Sequence, residues 1–263
     1  MRISAAGIEI GYDIAGPEGA PWLTFLNSIA SSRAMWGAQV AAFAGRYRVL
    51  TCDARGHGDS GATPPPYGFD TLVGDVAALW DALGVRKSHV VGLSLGGMVA
   101  AGLALAHADR IGALVIANSM MEATAPFVNS WNDRIALARA EGIDPVVEPT
   151  LARWLMPAFV AAQPSRADWV RDMIRGTSVD GFIGAAEALK TLDYRRRLPE
   201  IRVPTLFIAG TEDVACPPVG VRADAALVPG AEYAEIEAAA HISNLEQPGA
   251  FNRVVGEFLA RHA

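Results

Sequence analysis

Cysteine is scarce in this 263-residue chain. Cys52 and Cys216 stand far apart beside strand-like sequence, and neither has a metal-ligand neighbour. That excludes a disulfide framework and a cysteine-built metal site, and leaves two reduced core or loop residues. Charge is sparse too. Only 19% of residues are charged, and the net charge of −6 is spread over short mixed stretches, so no nucleic-acid partner is expected. Long apolar runs are missing. The apolar stretch from Gly97 is broken by Gly102 and followed by His107, Asp109 and Arg110, which is too short for a bilayer, so no membrane partner is expected. Met1-Arg2-Ile3-Ser4 runs directly into strand-like residues around Ile8 to Ile14, without a basic region and a cleavable apolar stretch. No signal peptide is expected, and the location expected is cytoplasmic. No Gly-rich phosphate loop follows the first strand, and the histidines lack zinc-site spacing, so neither a cofactor nor a metal is expected.

What is present is apolar and alternating. Half of the residues are hydrophobic, 51%, ample for a large buried core. Short apolar strands at Trp22 to Leu26, Arg48 to Cys52, Val90 to Leu93 and Ala113 to Ala117 alternate with helical segments such as Thr71 to Leu83. The alternation returns after residue 203, with strands at Thr205 to Ala209 and Glu232 to Glu237 and a helix that begins near Pro248. Between about 121 and 192 the strands vanish. Trp131 to Glu141, Asp168 to Arg175 and Val179 to Thr191 read as helices punctuated by Pro145, Pro149, Pro157 and Pro164. The expected class is therefore α/β: a mainly parallel, twisted sheet with helices on both faces and an inserted helical cap. Residues 1–120 and 193–263 would form the core domain and 121–192 the cap.

The pentapeptide Gly92-Leu93-Ser94-Leu95-Gly96 follows one apolar run and precedes another. G-x-S-x-G between a strand and a helix reads as a nucleophile elbow, a sharp turn that lifts the Ser94 hydroxyl clear of the backbone. Such an elbow calls for an acid and then a histidine further along the chain. Of the five histidines, His57 lies in a Gly-rich loop before the elbow, His89 starts a strand, His107 ends a helix and His262 lies in the C-terminal tail. That leaves His241, on the loop after the last strand, as the base. Asp213, on the turn that leaves the strand Thr205 to Ala209, is the acid expected to orient it. Adjacent Glu212 and the earlier Glu122 are its rivals. The oxyanion would be met by the backbone N–H of Leu95 and by that of Ile29, on the loop after Trp22 to Leu26, with Ser28 as the near alternative.

These residues together resemble the α/β-hydrolases and, within them, the 3-oxoadipate enol-lactonases. The resemblance rests on Asn27-Ser28-Ile29, Met35-Trp36, Asp53 to Ser60, Gly92 to Met98, Trp131-Asn132-Asp133-Arg134, Arg153-Trp154, Gly210 to Asp213 and His241 to Pro248. It implies a serine hydrolase that opens a small carboxylate-bearing lactone or ester through an acyl-enzyme. It also points to Arg134, Trp131, Trp154 and Ser28 as substrate contacts, with the Arg134 fork suited to a carboxylate. The small-molecule lactone or ester is the one partner implied. Ala30-Ser31-Ser32 depart from the family pattern, which continues with glycine. Perhydrolase, carboxylesterase and carbon–carbon hydrolase relatives use the same triad, and a non-catalytic receptor on this fold is the alternative from another class. A dehalogenase is disfavoured because Ser94 stands where its chemistry needs an aspartate.

Overall fold

A computed structural model describes residues 1–262. Eight strands build one sheet: β1 (Arg2–Ala5), β2 (Ile8–Ala15), β3 (Trp22–Leu26), β4 (Arg48–Cys52), β5 (Ser88–Leu93), β6 (Ile111–Ala117), β7 (Thr205–Gly210) and β8 (Glu232–Ile236). Their spatial order is β1-β2-β4-β3-β5-β6-β7-β8. β1 and β2 run antiparallel to their neighbours, and every later pairing is parallel. The first hairpin was not legible as two strands. It turns at Ala6 and Gly7, both with positive φ (50° and 75°), the two-residue turn whose twist matches paired strands.

The helices are α1 (Gly37–Phe43), α2 (Phe69–Leu83), α3 (Leu95–Ala106), α4 (Ala125–Glu141), α5 (Asp144–Trp154), α6 (Pro157–Ala162), α7 (Pro164–Arg175), α8 (Val179–Lys190), α9 (Pro218–Ala225), α10 (Ser243–Glu246) and α11 (Pro248–Arg261). They cover both faces of the sheet, as the side chains of β3 show. Successive strand residues point to opposite faces. Thr24 Oγ1 accepts the indole N–H of Trp80 on α2 at 3.1 Å, whereas Phe25 packs on Trp36 and on Phe43 of α1, and Trp36 in turn meets Phe251 of α11. Buried on both faces, the central strands read as continuous apolar runs rather than alternating ones.

Five helices, α4 to α8, stand between β6 and β7. The chain leaves and re-enters the sheet region side by side: Glu122 bridges Asp193, the Ala123 N–H donates to Leu192 O at 2.8 Å, and the Tyr194 N–H donates to Met121 O at 2.9 Å. Two of these helices escape the sequence pattern. Pro145, Pro157 and Pro164 occupy first-turn positions of α5, α6 and α7, where a missing N–H costs nothing. Pro149 lies inside α5, which continues through it and holds Val146, Val147 and Leu151 in the core.

The loop between β4 and α2 is fixed by a buried ion pair. The Arg55 guanidinium donates through Nε to Asp75 Oδ2 at 2.9 Å and through a second nitrogen to Oδ1, with both side chains nine-tenths buried or more. His57, fully buried in the same loop, meets the Arg55 carbonyl through Nδ1 at 2.9 Å, and burial pushes its pKa down, so it stays neutral. Burial holds the Asp75 carboxyl above its ordinary range despite Arg55. Arg55→Ala is expected to cost about 3–5 kcal/mol in urea unfolding at neutral pH, because an unpaired carboxylate remains buried. The sign with pH follows. A carboxyl whose folded pKa is raised binds protons more tightly when folded, so the deficit shrinks as pH falls through that raised value.

Candidate active site

The carboxyl ends of β3, β5, β6, β7 and β8 share one edge of the sheet, the edge at which parallel α/β sheets gather ligands. Ser94 caps β5 there with φ 57° and ψ −119°, outside the region open to most L-residues. The flanking glycines explain how the turn closes. A Cβ on Gly92 would lie 2.1 Å from Gly96 O, and one on Gly96 would lie 2.1 Å from Leu26 O, so neither position has room for a side chain.

His241, on the loop after β8, holds its Nε2 2.9 Å from Ser94 Oγ and its Nδ1 2.9 Å from Asp213 Oδ2. With the proton on Nδ1, the ring donates to Asp213 and accepts from the serine hydroxyl. All three side chains are buried. Burial alone would push the Asp213 carboxyl up. The His241 ring, the Asn118 amide and the Cys216 N–H overcome it and hold the carboxyl below its ordinary range. Asp213 Oδ1 accepts from the Ala215 and Cys216 N–H groups at 2.8 and 2.9 Å. Glu212 is exposed, and Glu122 lies out near Arg195 at 3.9 Å, so neither rival carboxylate meets the histidine.

Asn118, unassigned in the sequence, closes this network. It sits just past β6 at φ 49°, a left-handed conformation that asparagine tolerates. Its Nδ2 donates to Asp213 Oδ2 at 2.9 Å and to Ala240 O at 3.2 Å, while its Oδ1 accepts from Ser243 Oγ at 2.6 Å. A polar pair, Asn118-Ser119, directly after a buried strand was the available signal, since functional groups collect at that edge.

A cavity of about 420 Å³ opens over Ser94 and His241. Ile29, Trp131, Arg134 and Trp154 line it, as does Arg153, whose side chain the sequence left without a role. Ser28 does not line it. Its side chain is fully buried and its Oγ has no partner, so the cavity does not support the substrate contact expected of it; the lining residues on that loop are Ile29 and Ala30. Leu95 lines a small pocket with Asp53 to Arg55 rather than this cavity, and its backbone N–H stands at the elbow. Among the described residues, neither that N–H nor the Ile29 N–H donates to a protein acceptor. The Leu95 N–H also heads the twelve-residue α3, whose dipole favours negative charge.

Arg134 stacks over Trp131, its guanidinium carbon 4.8 Å from the ring centroid. Burial and the neighbouring Arg153 charge lower its pKa to about 10, so it remains protonated near neutral pH. Among the described residues neither arginine forms an ion pair, and the cavity lining contains no Asp or Glu. Cys216 completes the wall. Its thiol is pushed well up by burial and by Asp213, and its sulfur, a His241 ring nitrogen and an Asp213 oxygen lie within 4.8 Å of one another. The aspartate oxygens and the ring are already committed to hydrogen bonds and the thiol is protonated, a donor set poorly suited to a cation.

The family described as alpha/beta hydrolase fold matches residues 21–248. A 3-oxoadipate enol-lactonase of Acinetobacter baylyi is 33% identical over 98% of this chain and 96% of its own. A putative carbamate hydrolase of Caulobacter segnis is 32% identical over 95% of this chain and 94% of its own. The crystal structure of the enol-lactonase from Burkholderia xenovorans superposes with a TM-score of 0.96 at 36% identity, covering 99% of this chain and 100% of that one.

Among the described residues no helix is long and apolar enough to cross a membrane. Asn118→Ala is expected to raise the Asp213 pKa by removing one of its donors. The depressed wild-type carboxyl contributes stability that is present above its unfolded pKa and lost as pH falls through its folded value. Thermal melts across acid pH should therefore show a shallower acid loss in the variant, from a lower neutral-pH stability.

Proposed function

The chain belongs to the α/β-hydrolase family, and from that premise we propose that it is a serine hydrolase cleaving a small carboxylate-bearing lactone or ester, with 3-oxoadipate enol-lactone the favoured substrate. Ser94, Asp213 and His241 are its catalytic residues. His241 Nε2 takes the proton of Ser94 as Oγ attacks the carbonyl carbon, and Asp213 stabilises the imidazolium that results. The Leu95 and Ile29 N–H groups hold the oxyanion, each such donor being worth about 3 kcal/mol. The ring C–O bond then breaks and His241 protonates the departing oxygen. From an enol-lactone that oxygen leaves as an enol, still tethered through the acyl chain, and tautomerises to a ketone. Water, deprotonated by His241, attacks the acyl-enzyme and releases the acid and a regenerated Ser94. No step requires a cofactor.

One observation carries the substrate class: Arg134 and Arg153 face the cavity with no acidic residue in its lining. Two uncompensated guanidinium groups beside apolar walls suit a substrate that carries its own carboxylate. Residues 121–192 would then act as the cap that selects the acyl chain, seated on a core of residues 1–120 and 193–263. A carbamate is open to the same attack, and the Caulobacter relative makes it the second substrate to assay.

Steady-state hydrolysis of 3-oxoadipate enol-lactone, a neutral short-chain ester and a small carbamate tests this reading. For Arg134→Ala, kcat/KM for the lactone is expected to fall by about 30- to 1000-fold, the scale of an unpaired buried charge contact, with ester turnover retained. Fluorophosphonate labelling should be stoichiometric and lost in Ser94→Ala. Good ester turnover with poor lactone turnover would reject the substrate, and no labelling would reject the nucleophile.

A further inference from the structure

Glu246 ends α10, five residues past His241, and is 7% exposed. Its two carboxylate oxygens are taken by two different segments, one six residues away and one 90 residues away. Oε2 accepts the N–H of Ala240, the residue before His241, at 2.5 Å. Oε1 accepts the N–H of Met156, in the link between α5 and α6, at 2.7 Å. A second stitch runs parallel to the first: the N–H of Ile242, the residue after His241, donates to Trp154 O at 3.2 Å. The amide after His241 is thus held by the segment that carries the cavity-wall Trp154 directly, and the amide before it only through Glu246; the Trp154 ring centroid lies 6.5 Å from that of the imidazole.

We propose that Glu246 is a positioning residue that ties the placement of His241 to the seating of the Trp154–Met156 segment, so that a substrate pressed against Arg153 and Trp154 also sets the approach of Nε2 to Ser94. The inference rests on the catalytic reading of Ser94, Asp213 and His241 given above. Its physical basis is the rigidity of the connection. A single carboxylate that accepts two backbone donors in a low-dielectric setting holds both at short range, and each charge-assisted bond is about twice as strong as a neutral one. Loss of the carboxylate would leave two buried N–H groups without acceptors, one from each segment. The charged groups that face Glu246 are Asp213, which together with burial raises its pKa, and His241, which lowers it; the two accepted N–H bonds also lower it.

The experiment joins amide hydrogen exchange of residues 154–157 and 238–242 to kinetics on the neutral ester, for wild type, Glu246→Gln and Glu246→Ala. Exchange is expected to quicken in both segments together in the variants. In Glu246→Ala kcat should fall by about 10- to 100-fold, the cost of a small misplacement of a reacting group, with KM little changed. Glu246→Gln, which retains one acceptor, should lose less kcat and remain folded if the alanine variant does not. Quickened exchange in one segment alone or in neither would overturn the proposal. So would a lowered melting temperature with kcat and KM unchanged, the signature of a purely structural residue. If the wild type resists fluorophosphonate labelling, the catalytic reading fails separately, and the exchange result still decides whether Glu246 joins the two segments.

Discussion

A serine held at φ 57° and ψ −119° occupies backbone space that costs an L-residue about 1–3 kcal/mol. It stays there because its neighbours leave no alternative. Its N–H donates to Ala117 O on β6 at 2.9 Å, and its carbonyl accepts from Ser119 Oγ at 2.9 Å. Gly96 presses against the end of β3, and β5 lies between two parallel neighbours with every residue buried. The strain at one residue is supported by the whole centre of the sheet. The same packing brings the ends of β3, β6, β7 and β8 within reach of the Ser94 hydroxyl.

What the sequence made legible follows from that geometry. Ser94, Asp213 and His241 each stand just past a strand recognisable as an apolar run, so their convergence on one edge could be read before any coordinates. Ile29 likewise stands just past a strand and lines the cavity. Ser28 does not line it: one residue of difference on a tight loop decides whether a side chain faces a cavity or the core, and no pattern in Asn27-Ser28-Ile29 encodes that choice. Asn118 and Glu246 escaped because sequence patterns do not show which backbone groups, hydroxyl or carboxylate will meet them: Asp213, Ala240 and Ser243 for Asn118, Ala240 and Met156 for Glu246. Helix α5 was obscured by Pro149, which sequence reasoning takes as a break but which tertiary packing of Val147, Leu151 and Trp154 overrides.

The electrostatics of the cavity run against those of the molecule. The chain carries a net charge of −6, yet the charged side chains that line the cavity are both arginines. Burial of Arg134 beside Arg153 lowers its pKa and so acts against folding. Stacking on Trp131 offsets part of that cost, since a cation over an aromatic face is worth about 0.5–2 kcal/mol. An arrangement of this kind stores a preference for negative charge at one point inside an otherwise acidic protein.

The antiparallel bridge between Glu122 and Asp193 gives the helical excursion a narrow neck, through which the chain enters and leaves side by side. A segment whose two ends already touch makes little demand on the geometry of the sheet, so its length and helix count are free to drift while the strands stay put. In evolutionary terms the neck is a grafting point: one set of helices can be exchanged for another and the chemistry below kept. Any transplant would have to restore the bonds by which Trp154 and Met156 reach Ile242 and Glu246, and those by which Ser178 and Gly184 reach Gly56 and Tyr67.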